Sequence, residues 1–282
     1  MQHLSNLRDL AGRYQGFIID LWGVVHDGRH PYPGAITCLE ALRAAGKPVV
    51  LLSNAPRRAA AAQAAMRQMG IADDLYTGLL TSGEAVHLAL RDRADPWFAG
   101  LGRRLYHLGP ARDRNVFAGL DLPVAARPQD ADFVLNTGPD DEADPTDLAA
   151  YEGVLQDCVR AGLPMICANP DLDVIRGGVR VLCAGALAVR YRELGGAVCS
   201  IGKPDPGIYR PVVERLALAP SDILAIGDSL RTDIAGAAAA GVDSCWVLGG
   251  IHADEAADTA AAARLAAAAG LHPVAAIPGL AW

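Results

Sequence analysis

The chain has 282 residues, 51% of them apolar, with 32 acidic against 25 basic side chains and a net charge of −7. This composition supports a sizeable core and excludes a disordered chain, and its acidity argues against nucleic acid as a partner, because a phosphate backbone needs a basic face. No stretch approaches the roughly 18 apolar residues of a membrane span, no apolar leader follows Met1, and the six cysteines form no C-x-x-C pair suited to zinc, so a reduced, cytoplasmic protein of enzyme size is expected.

The first element is the apolar run Phe17-Ile18-Ile19, which stops at Asp20-Leu21-Trp22-Gly23. A short apolar run closed by Gly predicts a buried parallel strand. Helical spacing over Ala35 to Ala45 (Ile36, Leu39, Leu42) ends at Gly46, and Pro48 to Leu52 predicts a second strand ending in Ser53-Asn54. An Ala-rich helix from about Arg57 to Met69 leads to a third strand at Leu79 to Ser82 and a helix from Gly83 to Leu90.

The texture then changes. Residues 91–104 read as a connector, and strands are expected at Leu105 to Leu108, Asp132 to Leu135 and Pro164 to Cys167. A helix from about Asp147 to Arg160 follows the acidic loop Pro139-Asp140-Asp141-Glu142. Residues 84–182 are therefore read as an inserted α/β domain, and 1–83 with 183–282 as the domain that carries it. The first texture resumes with a helix at Ala184 to Leu194 and strands at Val198 to Ile201, Ile223 to Ile226 and Cys245 to Leu248. Helices are expected at Ile208 to Leu216, Thr232 to Ala240 and Thr259 to Ala269. Strands alternating with helices predict a parallel, doubly wound α/β sheet shared by the two halves.

Polar residues stand where the strands end: Asp20, Ser53-Asn54, Lys203 and Asp228, with Asp233 five residues further on. In an open α/β sheet the carboxyl ends share one rim, where reactive groups gather. Singly, each residue also suits helix capping, a turn or a surface charge. Together they suit phosphoryl transfer, with an attacking carboxylate, a cation that removes its repulsion from the phosphate, and hydrogen-bond donors for the remaining oxygens. Lysine occurs only at Lys47 and Lys203, and every other basic residue is Arg; a surviving lysine suits a compact point charge, with chance survival the alternative for either one.

The motifs Asp20-Leu21-x-Gly23-Val24, Leu52-Ser53-Asn54, Gly202-Lys203-Pro204 and Gly227-Asp228-Ser229-Leu230-Arg231-Thr232-Asp233-Ile234 resemble those of the haloacid dehalogenase superfamily of phosphohydrolases. Asn169-Pro170-Asp171 and the Gly-x-Leu run at Gly185 resemble its class IIA branch, which includes sugar-phosphate and nitrophenyl-phosphate phosphatases. The resemblance implies a Rossmann-like core with an inserted C2-type cap and Mg²⁺ as cofactor. It makes Asp20 the nucleophile, Lys203 and Asp233 its catalytic partners, and Ser53, Asn54 and Lys203 the phosphate-binding residues. The metal would be held by Asp20, Asp228 and the backbone carbonyl of Trp22.

In that family's phosphatases the residue two after the nucleophile is an Asp that serves as general acid and base. Trp22 can do neither. Three outcomes follow: a phosphatase for esters whose leaving group needs little protonation, a substitute acid at His26 or Asp27, or a protein that binds a phosphorylated ligand or partner without turnover. The substrate is expected to be a small phosphorylated metabolite, a sugar phosphate among the candidates. Asn136 and Asp140 are candidates either to reach it from the insert or simply to form the turn entering the next helix, and Asn169 and Asp171, at the return to the core, either to read the substrate or to set the hinge. The sequence leaves oligomeric state open and is compatible with a homodimer.

Overall fold

The computed structural model describes the chain except residues 141–143, 177–178 and 257. Asp141 and Glu142 of the expected acidic loop lie outside the described residues. In chain order the strands are β1 (Gln2–His3), β2 (Gly16–Ile19), β3 (Val49–Ser53), β4 (Gly78–Thr81), β5 (Leu105–Leu108), β6 (Phe133–Asn136), β7 (Met165–Cys167), β8 (Asp173–Arg176), β9 (Val179–Leu182), β10 (Val198–Ser200), β11 (Ile223–Gly227), β12 (Asp243–Val247) and β13 (Ala275–Ile277).

Seven of them form one sheet in the order β1-β13-β12-β11-β2-β3-β4, and every pairing in it is parallel. Both faces are covered, as an all-parallel sheet requires. Phe17, Ile19, Val49, Leu51, Leu224 and Ile226 pack into a cluster on one face, while Ile18, Val50, Leu52, Ile223 and Ala225 pack on the other. The alternation along β2 explains why Phe-Ile-Ile is apolar without a break: each residue meets a different helical layer.

A second parallel sheet has the order β10-β7-β6-β5. This corrects the expectation that the strand after Ala184 rejoins the first sheet. Val198–Ser200 pairs instead with Met165–Cys167, and the helix Ala184–Glu193 packs its Leu187, Ala188 and Tyr191 into the cluster of the second sheet. A three-residue apolar strand carries no mark of which sheet it joins, so composition placed it wrongly. Ile201, just beyond β10, touches the clusters of both sheets. Two further strands, β8 and β9, form an antiparallel hairpin of their own.

Candidate active site

The first sheet reverses its direction of winding at β2, which lies between β3 on one side and β11 on the other. The crevice at such a switch point is open beyond the strand ends. Asp20 follows β2 directly, and its N–H donates to the Ile226 carbonyl at 2.9 Å. Asp228 follows β11, and Ser53 is the last residue of β3. Asp233 comes from the π turn Leu230–Ile234, whose Ser229 N–H is held by Asp233 Oδ2 at 3.1 Å. Single π turns inserted in this way recur at functional sites.

Lys203 comes three residues after β10, the edge strand of the second sheet. The rim is therefore not the property of one sheet, as expected, but is completed by the edge strand of the second. The Nζ of Lys203 donates to Asp20 Oδ1 at 2.5 Å, to Asp233 Oδ1 at 2.6 Å and to the Leu52 carbonyl at 3.1 Å. Only 3% of Lys203 is exposed, so these bonds act in a medium that screens little.

One carboxylate oxygen each from Asp20, Asp228 and Asp233 lies within 4.8 Å of the others. Three carboxylates against one ammonium leave a net charge of −2 when all are ionised. Burial first, and then the neighbouring carboxylates, push Asp20 and Asp228 above the usual carboxylate range, although Lys203 pulls the other way. Burial works against the charge on Lys203, but Asp20 and Asp233 outweigh it and hold the ammonium protonated. The cluster thus lacks positive charge equal to one divalent ion, and its oxygen-only donors are the kind a hard cation takes. The backbone is shaped to admit these groups. Gly23 has φ +83°, and a Cβ there would fall 2.0 Å from Asp228 Oδ2; one on Gly250 would fall 2.1 Å from the same atom.

The other expected residues separate into two groups. Ser53, Asn54, Asp140, Asn169 and Asp171 line the same cavity, of about 700 Å³, as Asp20 and Lys203. The Ser53 hydroxyl accepts from the Ala55 N–H at 3.2 Å and keeps its own proton to donate. The Asn54 side chain is committed elsewhere. It donates to Asp171 Oδ1 (2.9 Å) and the Lys203 carbonyl (3.1 Å) and accepts from the Lys203 N–H (2.8 Å) and Ser82 Oγ (3.3 Å). It braces three chain segments and has only its backbone N–H to offer a phosphate. Asn136 is a correction: it is fully buried, away from the cavity, donating to the Ala184 carbonyl at 2.9 Å and accepting from the Gly138 N–H at 3.1 Å. Its role is to tie β6 to the helix at Ala184.

Neither proposed substitute for a general acid is placed as one. His26 lines the cavity, but burial pushes it down to about 4. Its Nδ1 accepts from the Gly28 N–H at 3.0 Å, which leaves the proton of the neutral ring on Nε2. Asp27 does not line the cavity, and the N–H groups of His30 and Arg29 hold its carboxyl below the usual range.

Sequence reasoning missed the hairpin of β8 and β9, which forms one wall. Its signal was present: two short runs rich in Val and Ile, Asp173 to Arg176 and Val179 to Leu182, separated by Gly177-Gly178. Trp22 reaches this hairpin, and its Nε1–H donates to the Ile175 carbonyl at 3.0 Å. The indole rests on Gly28, where φ is +87° and a Cβ would fall 2.2 Å from Trp22 Cη2. Arg176 lies over the indole face, 5.9 Å from its centroid.

The haloacid dehalogenase-like hydrolase family profile matches residues 17–123, and a HAD-hydrolase-like profile matches residues 200–272. Human chronophin is 28% identical over 248 residues, covering 81% of this chain and 79% of its own. The crystal structure of a haloacid dehalogenase-like hydrolase from Brucella suis superposes with a TM-score of 0.84 at 33% identity, over 98% of this chain and 99% of that one. The structure of glycerol phosphate phosphatase from Mycobacterium tuberculosis in complex with magnesium gives a TM-score of 0.64 at 25% identity, over 89% and 71% of the two chains.

Proposed function

The chain belongs to the class IIA branch of the haloacid dehalogenase-like hydrolases, and from that premise we propose that it is a magnesium-dependent phosphomonoesterase acting on a small phosphorylated metabolite through Asp20. The observation that carries the reading is the meeting of Asp20, Asp228, Asp233 and Lys203 on the floor of one cavity. The four-stranded unit is read as a cap. It is assigned residues 84–200, which extends the expected insert by the strand that completes its sheet, and the core is assigned 1–83 and 201–282.

Asp20, Asp228 and the Trp22 carbonyl would hold Mg²⁺, which when bound offsets the repulsion between carboxylate and phosphate. Lys203 fixes Asp20 through Oδ1 and leaves Oδ2 as the attacking atom. The Oδ2–phosphorus bond forms as the bond to the leaving oxygen breaks, giving an aspartyl-phosphate. Water then attacks phosphorus, releases inorganic phosphate and restores the carboxylate. The Ser53 hydroxyl donates to a phosphate oxygen as charge shifts onto it, and the Lys203 ammonium, its three N–H groups held by Asp20, Asp233 and the Leu52 carbonyl, stabilises that charge electrostatically. Asp233 holds Lys203 from the opposite side.

With Trp22 in the general-acid position, the leaving oxygen departs without a proton from that residue. Loss of such a group costs about 10² to 10⁴ in rate, and the cost is smallest for aryl and acyl phosphates, whose leaving groups are stable as anions. Phosphate release from a series of aryl and alkyl monoesters, with Mg²⁺ and with EDTA, tests this. A rate that climbs steeply as leaving-group pKa falls supports the reading, and a flat series overturns it. The neutral His26 and the outlying Asp27 also favour a second reading, in which a phosphorylated ligand is bound without turnover. A thermal shift with Mg²⁺ and vanadate but no phosphate release from any ester would establish that one.

A further inference from the structure

The water that attacks the aspartyl-phosphate must give up a proton, and Trp22 has no group to take it. We propose that His252 is the general base for that water and that Glu255 is its positioning residue. The leaving oxygen then departs without a proton in the first step, while the second step is assisted from another wall of the cavity. The proposal rests on the phosphatase reading for the existence of the intermediate.

Strand β12 lies beside β11 and parallel to it, so the loop leaving its carboxyl end joins the rim that carries Asp228. This loop presses on the carboxylate cluster. A Cβ on Gly250 would fall 2.1 Å from Asp228 Oδ2, and the Ile251 N–H donates to the same oxygen at 2.7 Å. His252 is the next residue, and it lines the cavity together with Asp20, Trp22 and Asp228.

The ring is held as a base requires. Glu255 Oε2 stands 2.7 Å from His252 Nδ1. An ionised carboxylate only accepts, so Nδ1 carries the hydrogen and the lone pair of the neutral ring is on Nε2. The backbone enforces this pairing: the N–H groups of Glu255 and Ala256 both donate to the His252 carbonyl, at 3.1 and 2.8 Å, and Ala256 is anchored in a buried cluster with Trp246. The imidazole also meets the Trp246 indole edge-on, with centroids 5.7 Å apart and planes at 79°. Trp246 is itself fully buried and donates through Nε1–H to the Asp228 carbonyl at 2.8 Å. His26, which also lines the cavity, has the opposite arrangement, because its Nδ1 accepts from the Gly28 N–H. The side chains of His252 and Glu255 are 22% and 54% exposed. So exposed a pair contributes little to stability, but it gives a proton a path to solvent.

In the step itself, Nε2 takes a proton from the water as the water oxygen bonds to phosphorus. The bond from phosphorus to Asp20 Oδ2 breaks, and its electron pair returns to the carboxylate. The imidazolium, stabilised at Nδ1 by Glu255, then releases its proton to solvent.

The test uses the full chain with Mg²⁺ and 2,4-dinitrophenyl phosphate, whose leaving oxygen needs no proton, so that the intermediate forms fast. His252→Gln should lower kcat by about 10² to 10⁴ and leave kcat/KM, which reports the first step, unchanged. Steady release should give way to a burst of dinitrophenolate, with a phosphoprotein in the acid-quenched mass spectrum. Glu255→Ala should act in the same direction to a smaller degree, and as a change to an exposed side chain it decides alone should the first variant not fold. A merely structural pair would move kcat and kcat/KM together. An unchanged kcat in the folded variants, or an equal fall in kcat and kcat/KM with no burst, overturns His252 as the base and leaves the phosphatase reading standing. No phosphate release by the unaltered protein overturns that reading, and the base with it.

Discussion

Replacing Lys203 with Met isolates the electrostatics of the rim. The ammonium is 3% exposed and makes two charge-assisted hydrogen bonds, at 2.5 and 2.6 Å, and one to a carbonyl at 3.1 Å. A Met of similar length would keep the packing and remove the charge, leaving three buried carboxylates to face one another. Breaking a buried ion pair by removing one partner costs about 3–5 kcal/mol, chiefly the penalty of the charge left behind. The chain's other lysine supplies the control. Lys47 is half-buried and donates to the Tyr14 carbonyl at 2.7 Å and Gln15 Oε1 at 3.1 Å, so its replacement by Met should cost about 1 kcal/mol. Equilibrium urea unfolding at pH 7 in EDTA measures both. Added Mg²⁺ should restore part of the Lys203→Met loss, because it supplies the missing positive charge. Equal losses at the two lysines, or a loss at Lys203 below about 1 kcal/mol, would refute the claim that the carboxylates are held together against their mutual repulsion.

Other outcomes follow from single contacts. Burial, then Arg114, pushes His107 down to about 4 from 6.5 in the unfolded chain. The unfolded state therefore binds the proton first, and stability is full above pH 6.5 and lost as pH falls toward 4, by up to about 3 kcal/mol from this group; unfolding of His107→Gln should show a flatter dependence across that window. Gly28→Ala places a methyl 2.2 Å from the indole of Trp22 at a φ of +87°, so tryptophan emission should shift and stability should fall by about 1–3 kcal/mol. Asp228→Asn should abolish the rise in melting temperature with Mg²⁺, a rise worth about 2.7 kcal/mol at a hundred times Kd in the unaltered protein. Asn136→Ala strands the Gly138 N–H and the Ala184 carbonyl; it should cost about 1–3 kcal/mol of stability and leave KM unchanged.

The core sheet was legible because each of its central strands is an apolar run closed by the residue that matters, as in Phe17-Ile18-Ile19-Asp20 and Ile223 to Asp228. Strand ends are local features, and the topology that brings Asp20, Ser53 and Asp228 together follows from the alternation of strand and helix. What stayed hidden was pairwise. The sequence of β10 does not say which sheet it joins, and its neighbours Ala184 to Leu194 share the texture of the core while packing elsewhere. Asn136 sits after a strand in a turn-rich stretch, where polar residues read as ligand contacts, yet its bonds close a buried corner. Trp22 was legible as a missing acid but not as a support, because its partners, Gly28 and Ile175, lie 6 and 153 residues away.

The attachment of Lys203 to the end of β10 constrains how this protein can be recombined with its relatives. A graft that swapped residues 84–182 alone would carry three strands of the four-stranded sheet and abandon the fourth, leaving a raw edge on the donor piece and an orphaned ribbon on the recipient. A workable junction lies in the short span between Ser200 and Lys203. Even there, a splice displaced by one residue would slide the ammonium out of register with its two carboxylates.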